Sequence, residues 1–138
     1  MSIKVEMSKI FLILIVVIFC FSCRKDKAPI LGPAGVSCAL PAQVSYQQHI
    51  QPIFNMYCVN GGCHAGGSPA GNLSLDASVS YSQLMKSGSG NIDVAQPNFS
   101  LLYSQMNSSS NPMPQTGRLD SCTIGLVFKW IQQGAKNN

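Results

Sequence analysis

The stretch Cys58-Val59-Asn60-Gly61-Gly62-Cys63-His64 gathers two thiols and an imidazole within seven residues. Positions five apart on a regular helix point about 140° away from each other, so Cys58 and Cys63 cannot face one surface from unbroken helix. The backbone must bulge between them. Gly61 and Gly62 supply that freedom, because glycine accepts positive φ at little cost.

Two cysteines followed at once by a histidine are the set that attaches a c-type haem. The thiols form thioethers with the vinyl groups, and the adjacent imidazole is held beneath the iron. Four residues separate the cysteines, where CxxCH has two; the glycine pair accommodates the difference. The segment HIQPIFNMYCVNGGCH, a later methionine between prolines and the ending FKWIQQGAKN resemble the small cytochrome c domains of exported bacterial lipoproteins, over residues 45–136. The resemblance implies an all-α, cytochrome c-like fold around one haem c and electron transfer as the function. It assigns Cys58 and Cys63 as attachment cysteines, His64 as proximal ligand and Met113 as distal ligand. Pro112 and Pro114 flank Met113 and narrow the ways its thioether can be presented. Met106, Met85 and His49 are its rivals, although His49 lies on the polar side of the first helix and is expected to be solvated.

Other readings of the cluster stay open. Cys58 and Cys63 can close a disulfide loop on a non-haem structural or binding lipoprotein, or join His64 and a fourth ligand around zinc. Adjacent Cys63 and His64 are awkward for one tetrahedral ion, and Cys38 and Cys122 lack the paired spacing of a zinc knuckle. A haem-based gas sensor follows if Met113 does not ligate.

Upstream, Lys4 and Lys9 flank the start of an uninterrupted apolar run at residues 10–21. Twelve helical residues extend roughly 18 Å, short of the roughly 30 Å hydrocarbon core, so the run reads as a signal peptide and not as a spanning helix. It ends in Cys20, Phe21, Ser22, Cys23, which resembles a lipobox with Cys20 where an aliphatic residue is usual. Residues 1–22 are thus expected to be removed and Cys23 lipidated, which places the protein outside the cytoplasm on a membrane, on the periplasmic or cell-envelope side. An ordinary signal peptide that leaves Cys23 a stray thiol is the alternative.

Residues 23–43 carry prolines and glycines without sustained periodicity and read as a linker. Residues 44–136 form the folded domain, a size at which burial is marginal without a staple or cofactor. After the lipid and haem assignments Cys38 and Cys122 are left over. An oxidising compartment favours their pairing, with two buried thiols as the alternative.

Periodicity predicts helices and no sheet. The first starts near Ile50 with Pro52 in its first turn and carries Ile53, Phe54 and Tyr57. A short one follows Asp76 and stops at Gly88. A third starts around Asn98, with Phe99, Leu102, Tyr103 and Met106 on one side. The last is capped by Asp120 or Ser121, presents Ile124, Val127, Phe128 and Ile131, and stops at Gly134. Trp130, Phe128 and Ile131 are expected in the core, against the porphyrin.

Charged residues make up 10% of the 138 and the balance is +4; no basic run follows the N-terminal segment, which argues against a nucleic-acid partner. No paired base and nucleophile is visible, so the chain is read as not an enzyme, with no small-molecule substrate. Its expected partners are other redox proteins, met through transient interfaces.

Overall fold

The computed structural model describes residues 38–138, so the expected signal peptide and the expected lipidation of Cys23 lie outside the described residues. Those described are helical, with no strand among them, and no helix among them is long and apolar enough to cross a membrane. Four α-helices carry the architecture: α1 (Gln51–Tyr57), α2 (Ser80–Leu84), α3 (Leu101–Asn107) and α4 (Ser121–Gln132).

The first helical segment begins earlier than expected, in a π-helical turn at Tyr46–Ile50 that runs straight into α1. Ser45 caps it, its hydroxyl accepting from the Gln48 N–H, and His49 Nδ1 accepts from the Ser45 N–H at 2.9 Å. His49 is therefore half-buried in a capping contact and not simply solvated. Gln51 donates to the Tyr46 carbonyl, five residues back, and Pro52, which has no N–H to give, follows in the first turn of α1.

α4 follows the periodicity closely. Asp120 is its N-cap, the carboxylate accepting from the N–H groups of Cys122 and Thr123 at 3.0 and 2.9 Å, which satisfies two donors that have no intrahelical partner. Those hydrogen bonds, with one from the Thr123 hydroxyl, hold the Asp120 carboxyl below its ordinary pKa. Ile124, Val127, Trp130 and Ile131 are buried; Gly134, at φ +93, lets the chain turn off the helix end.

The core forms where α4 meets the first segment. Tyr46 lies edge-on to Tyr81 at 5.1 Å and tilted against Trp130 at 5.3 Å between ring centroids, with Ile50 and Phe54 fully buried beside it. Its phenol donates to Ser80 Oγ at 2.6 Å, and Ser80 donates on to Gln51 Oε1. This satisfies the polar atoms that the apolar surroundings strand, and burial raises the Tyr46 pKa. The third helix departs from its expected face. Phe99 belongs to a separate 3₁₀ turn, Pro97–Phe99, that ends at an extended Ser100. The helical register is broken there, and Phe99 is 72% exposed while Met106 is buried.

The downstream end of the expected linker belongs to the folded unit. Cys38 and Cys122 form a disulfide with Cα atoms 5.5 Å apart. Lys129 Nζ donates to the Pro41 carbonyl, and Gln133 Nε2 to the Ala42 carbonyl, both at 2.7 Å. Residues 38–44 are thereby strapped along α4.

Candidate functional site

α1 ends at the cysteine motif. The N–H groups of Cys58 and Val59 both reach the Phe54 carbonyl, at 2.8 and 3.1 Å, and Asn60 Nδ2 takes the free Met56 carbonyl at 2.6 Å. The chain then tightens into a 3₁₀ turn, Asn60–Gly62, in which Gly61 and Gly62 sit at φ +72 and +77. This is the bulge that the five-residue offset requires. The His64 N–H closes the turn onto the Cys58 carbonyl at 3.1 Å, so the two ends of the motif are held together by the backbone itself.

Downstream, the chain folds back across His64. Ala70 donates to the Cys63 carbonyl at 2.6 Å and Leu75 to the His64 carbonyl at 2.7 Å. A second 3₁₀ turn, Ala70–Asn72, leads into Leu73, whose carbonyl lies 3.1 Å from His64 Nδ1. A carbonyl oxygen only accepts, so this contact requires the proton on Nδ1 and leaves the lone pair of a neutral imidazole on Nε2. A metal-binding histidine is commonly oriented in this way.

Cys58, Cys63, His64 and Met113 all line one cavity of about 670 Å³. Its other walls are largely apolar, from Leu73, Leu75, Leu101, Leu102, Met106 and Leu119, and no Asp, Glu, Lys or Arg lines it. Asn91, Gln105, Gln115 and Thr116 supply neutral polar groups. Volume and lining fall in the range of cofactor sites. Cys58 and Cys63 carry free thiols. Cys58 is half-buried, and burial first, then the neighbouring Cys63, pushes its thiol up to about 11. Among the described residues no three His, Cys, Asp or Glu side chains come together as a metal cage.

Met113 reaches the cavity from the loop before α4, its N–H donating to the Gln105 carbonyl at 3.0 Å. Of its rivals, Met106 also lines the cavity, whereas Met85 and His49 do not. Met56, a third methionine in the lining, went unnoticed in the sequence; it stands two residues before Cys58, and only the bend after α1 brings it there. The aromatic expectation needs correcting. Trp130 and Ile131 are core residues, as expected, but neither lines this cavity. Phe128 is half-buried beside a separate cavity of about 330 Å³. On α4, Trp130 packs against Tyr46 instead.

The residues therefore fit a haem. The imidazole has its free nitrogen defined, two thiols precede it in sequence, a thioether lines the same cavity, and the walls are uncharged. No family model, no curated protein and no solved structure matches this chain.

Proposed function

We propose that the chain is a single-haem c-type cytochrome that carries electrons, anchored to a membrane through lipidated Cys23 on the exported, periplasmic or cell-envelope side. The observation that carries the proposal is one uncharged cavity lined by Cys58, Cys63, His64 and Met113 together. Bound there, haem c supplies the Fe(III)/Fe(II) couple. Cys58 and Cys63 would hold the haem through thioethers, since adding each S–H across a vinyl group would bond sulfur to one carbon and place the proton on the other, with no oxidant needed. His64 offers Nε2 as the proximal ligand, its ring angle set by the Leu73 carbonyl. Met113 offers a soft thioether, which favours reduced iron. The leucines and Met106 exclude water, and the lack of charged side chains in the lining disfavours the more highly charged oxidised state, so the reduction potential is expected to be comparatively high.

Met56, Tyr57 and Leu101 line the cavity and are also 60%, 40% and 46% exposed. They form the edge at which a redox protein partner approaches. In this proposal the domain is a carrier and not an enzyme.

The test is the visible spectrum of the protein produced with cytochrome c maturation machinery, oxidised and reduced, followed by denaturation and acid-acetone extraction. A Soret band that stays with the polypeptide supports covalent haem. A colourless product from cells that mature a control cytochrome normally sinks the proposal.

A further inference from the structure

We propose that Arg118 and Asn107 form a clasp that positions Met113, and that Arg118 is a positioning residue for the distal ligand although it does not line the haem cavity. Residues 108–117 leave α3, pass Met113 and return toward α4. They open with three consecutive serines and bury no side chain fully, so apolar packing does little to hold them. Their backbone ties are few: Ser108 N–H to the Gln105 carbonyl at 3.4 Å, Asn111 N–H to Ser108 Oγ at 3.1 Å, Met113 N–H to the Gln105 carbonyl at 3.0 Å, and Gly117 N–H to the Pro114 carbonyl at 3.1 Å. The Gln105 contact fixes only the N-terminal side of Met113.

The clasp closes the other side. Arg118 Nη2 donates to Asn107 Oδ1, joining positions eleven apart, from the last residue of α3 to the residue after the loop. Asn107 is itself held, since its Nδ2 donates to the Tyr103 hydroxyl at 3.3 Å. The Tyr103 ring lies 4.4 Å from that of Phe128 on α4, between centroids. Arg118, Asn107, Tyr103 and Phe128 share the lining of the smaller cavity, while Met113 and Leu119, the residue after Arg118, line the larger one. With the clasp closed, the free path after Met113 ends at Arg118. The neighbouring Leu119 is then held at the cavity wall. Arg118 is the one charged side chain lining either cavity, and an arginine fork suits a fixed hydrogen bond better than a lysine ammonium does.

The inference concerns the loop directly and rests on the haem proposal only where it invokes ligation, so the test has two arms. In the haem-free protein, hydrogen exchange is followed at the Met113 amide and at the Val127, Trp130 and Ile131 amides. Arg118→Ala and Asn107→Ala are each expected to speed exchange at Met113 roughly three- to tenfold, the scale of one net hydrogen bond, with the α4 amides unchanged and Arg118→Lys intermediate. In the haem-loaded protein, the same variants are titrated with exogenous imidazole, which competes with Met113 for the iron, and its affinity is expected to rise by a similar factor. Unchanged exchange at Met113 in a folded variant overturns the clasp, as does equal acceleration at Met113 and the α4 amides. If the clasp arm succeeds while the wild-type protein carries no haem, the haem proposal fails and the loop clasp stands.

Discussion

His64 Nδ1 and the Leu73 carbonyl oxygen lie 3.1 Å apart, across nine positions of sequence. The contact exists because the chain between them turns back through Gly71 at φ +61 and Asn72 at φ +54. Asparagine is among the few residues other than glycine that enter this left-handed region readily.

Replacing Gly71 tests that turn. A Cβ there meets nothing within 4 Å, so the cost of Gly71→Ala is conformational, about 1–2 kcal/mol. Chemical denaturation is expected to show a loss of that size, accompanied by a lower yield of covalent haem per polypeptide. Gly67→Ala, where φ is not positive and space is equally open, is the control and is expected to be near neutral.

The methionines separate by role. Met113→Ala is expected to remove the distal ligand, so that the ferrous protein binds carbon monoxide and the potential falls, with little change in stability. Met106 is 3% exposed, and Met106→Ala is expected to cost about 2–5 kcal/mol by leaving a void while methionine ligation persists. Carbon monoxide binding by the Met106 variant and not by the Met113 variant would reverse the assignment.

The disulfide between Cys38 and Cys122 spans 84 positions. Cys122→Ser is expected to destabilise the domain by about 4–5 kcal/mol in the chain-entropy account, read as a lower denaturation midpoint that reductant no longer changes. A loss under about 1 kcal/mol would mean that the hydrogen bonds of Lys129 and Gln133 hold the strap alone.

The two motif thiols differ in the haem-free protein. Cys63 is exposed and Cys58 half-buried, with the Cys58 thiol moved from its ordinary 9.0 to about 11. Alkylation at neutral to mildly alkaline pH is expected at Cys63 first, with Cys58 responding only as pH approaches 11. The unfolded chain loses this proton at lower pH than the folded one. Stability is therefore expected to fall as pH rises between about 9 and 11, and Cys58→Ala is expected to remove that part of the decline.

What was legible in the sequence was local. The motif from Cys58 to His64 is one run of seven residues, and its glycine pair takes the positive φ that the spacing demands. α4 was legible because caps and apolar faces repeat within one or two turns, and Asp120 and Gly134 stand at its ends. Cys58, Cys63, His64 and Met113, which line one cavity, could be picked out at this level because they are contiguous or marked by prolines.

Contacts that join distant positions were decided only by the tertiary structure. The π-helical start at Tyr46 accompanies contacts to the far end of the described chain, where the Gln47 N–H and the Ser45 hydroxyl donate to the Asn138 carbonyl. Phe99 read as part of a helical face, but an extended Ser100 breaks the register beside it. Neither the place of Met56 in the cavity nor the Leu73 carbonyl beside His64 has a sequence signature, because backbone carbonyls are alike at every residue and a methionine's exposure depends on where the chain bends. The types and spacing of residues thus determined which chemistry this protein can offer. The folding back of residues 64–75 and the strapping of residues 38–44 onto α4 decided which side chains share a surface, because such proximity is set by packing and hydrogen bonds between segments far apart in sequence.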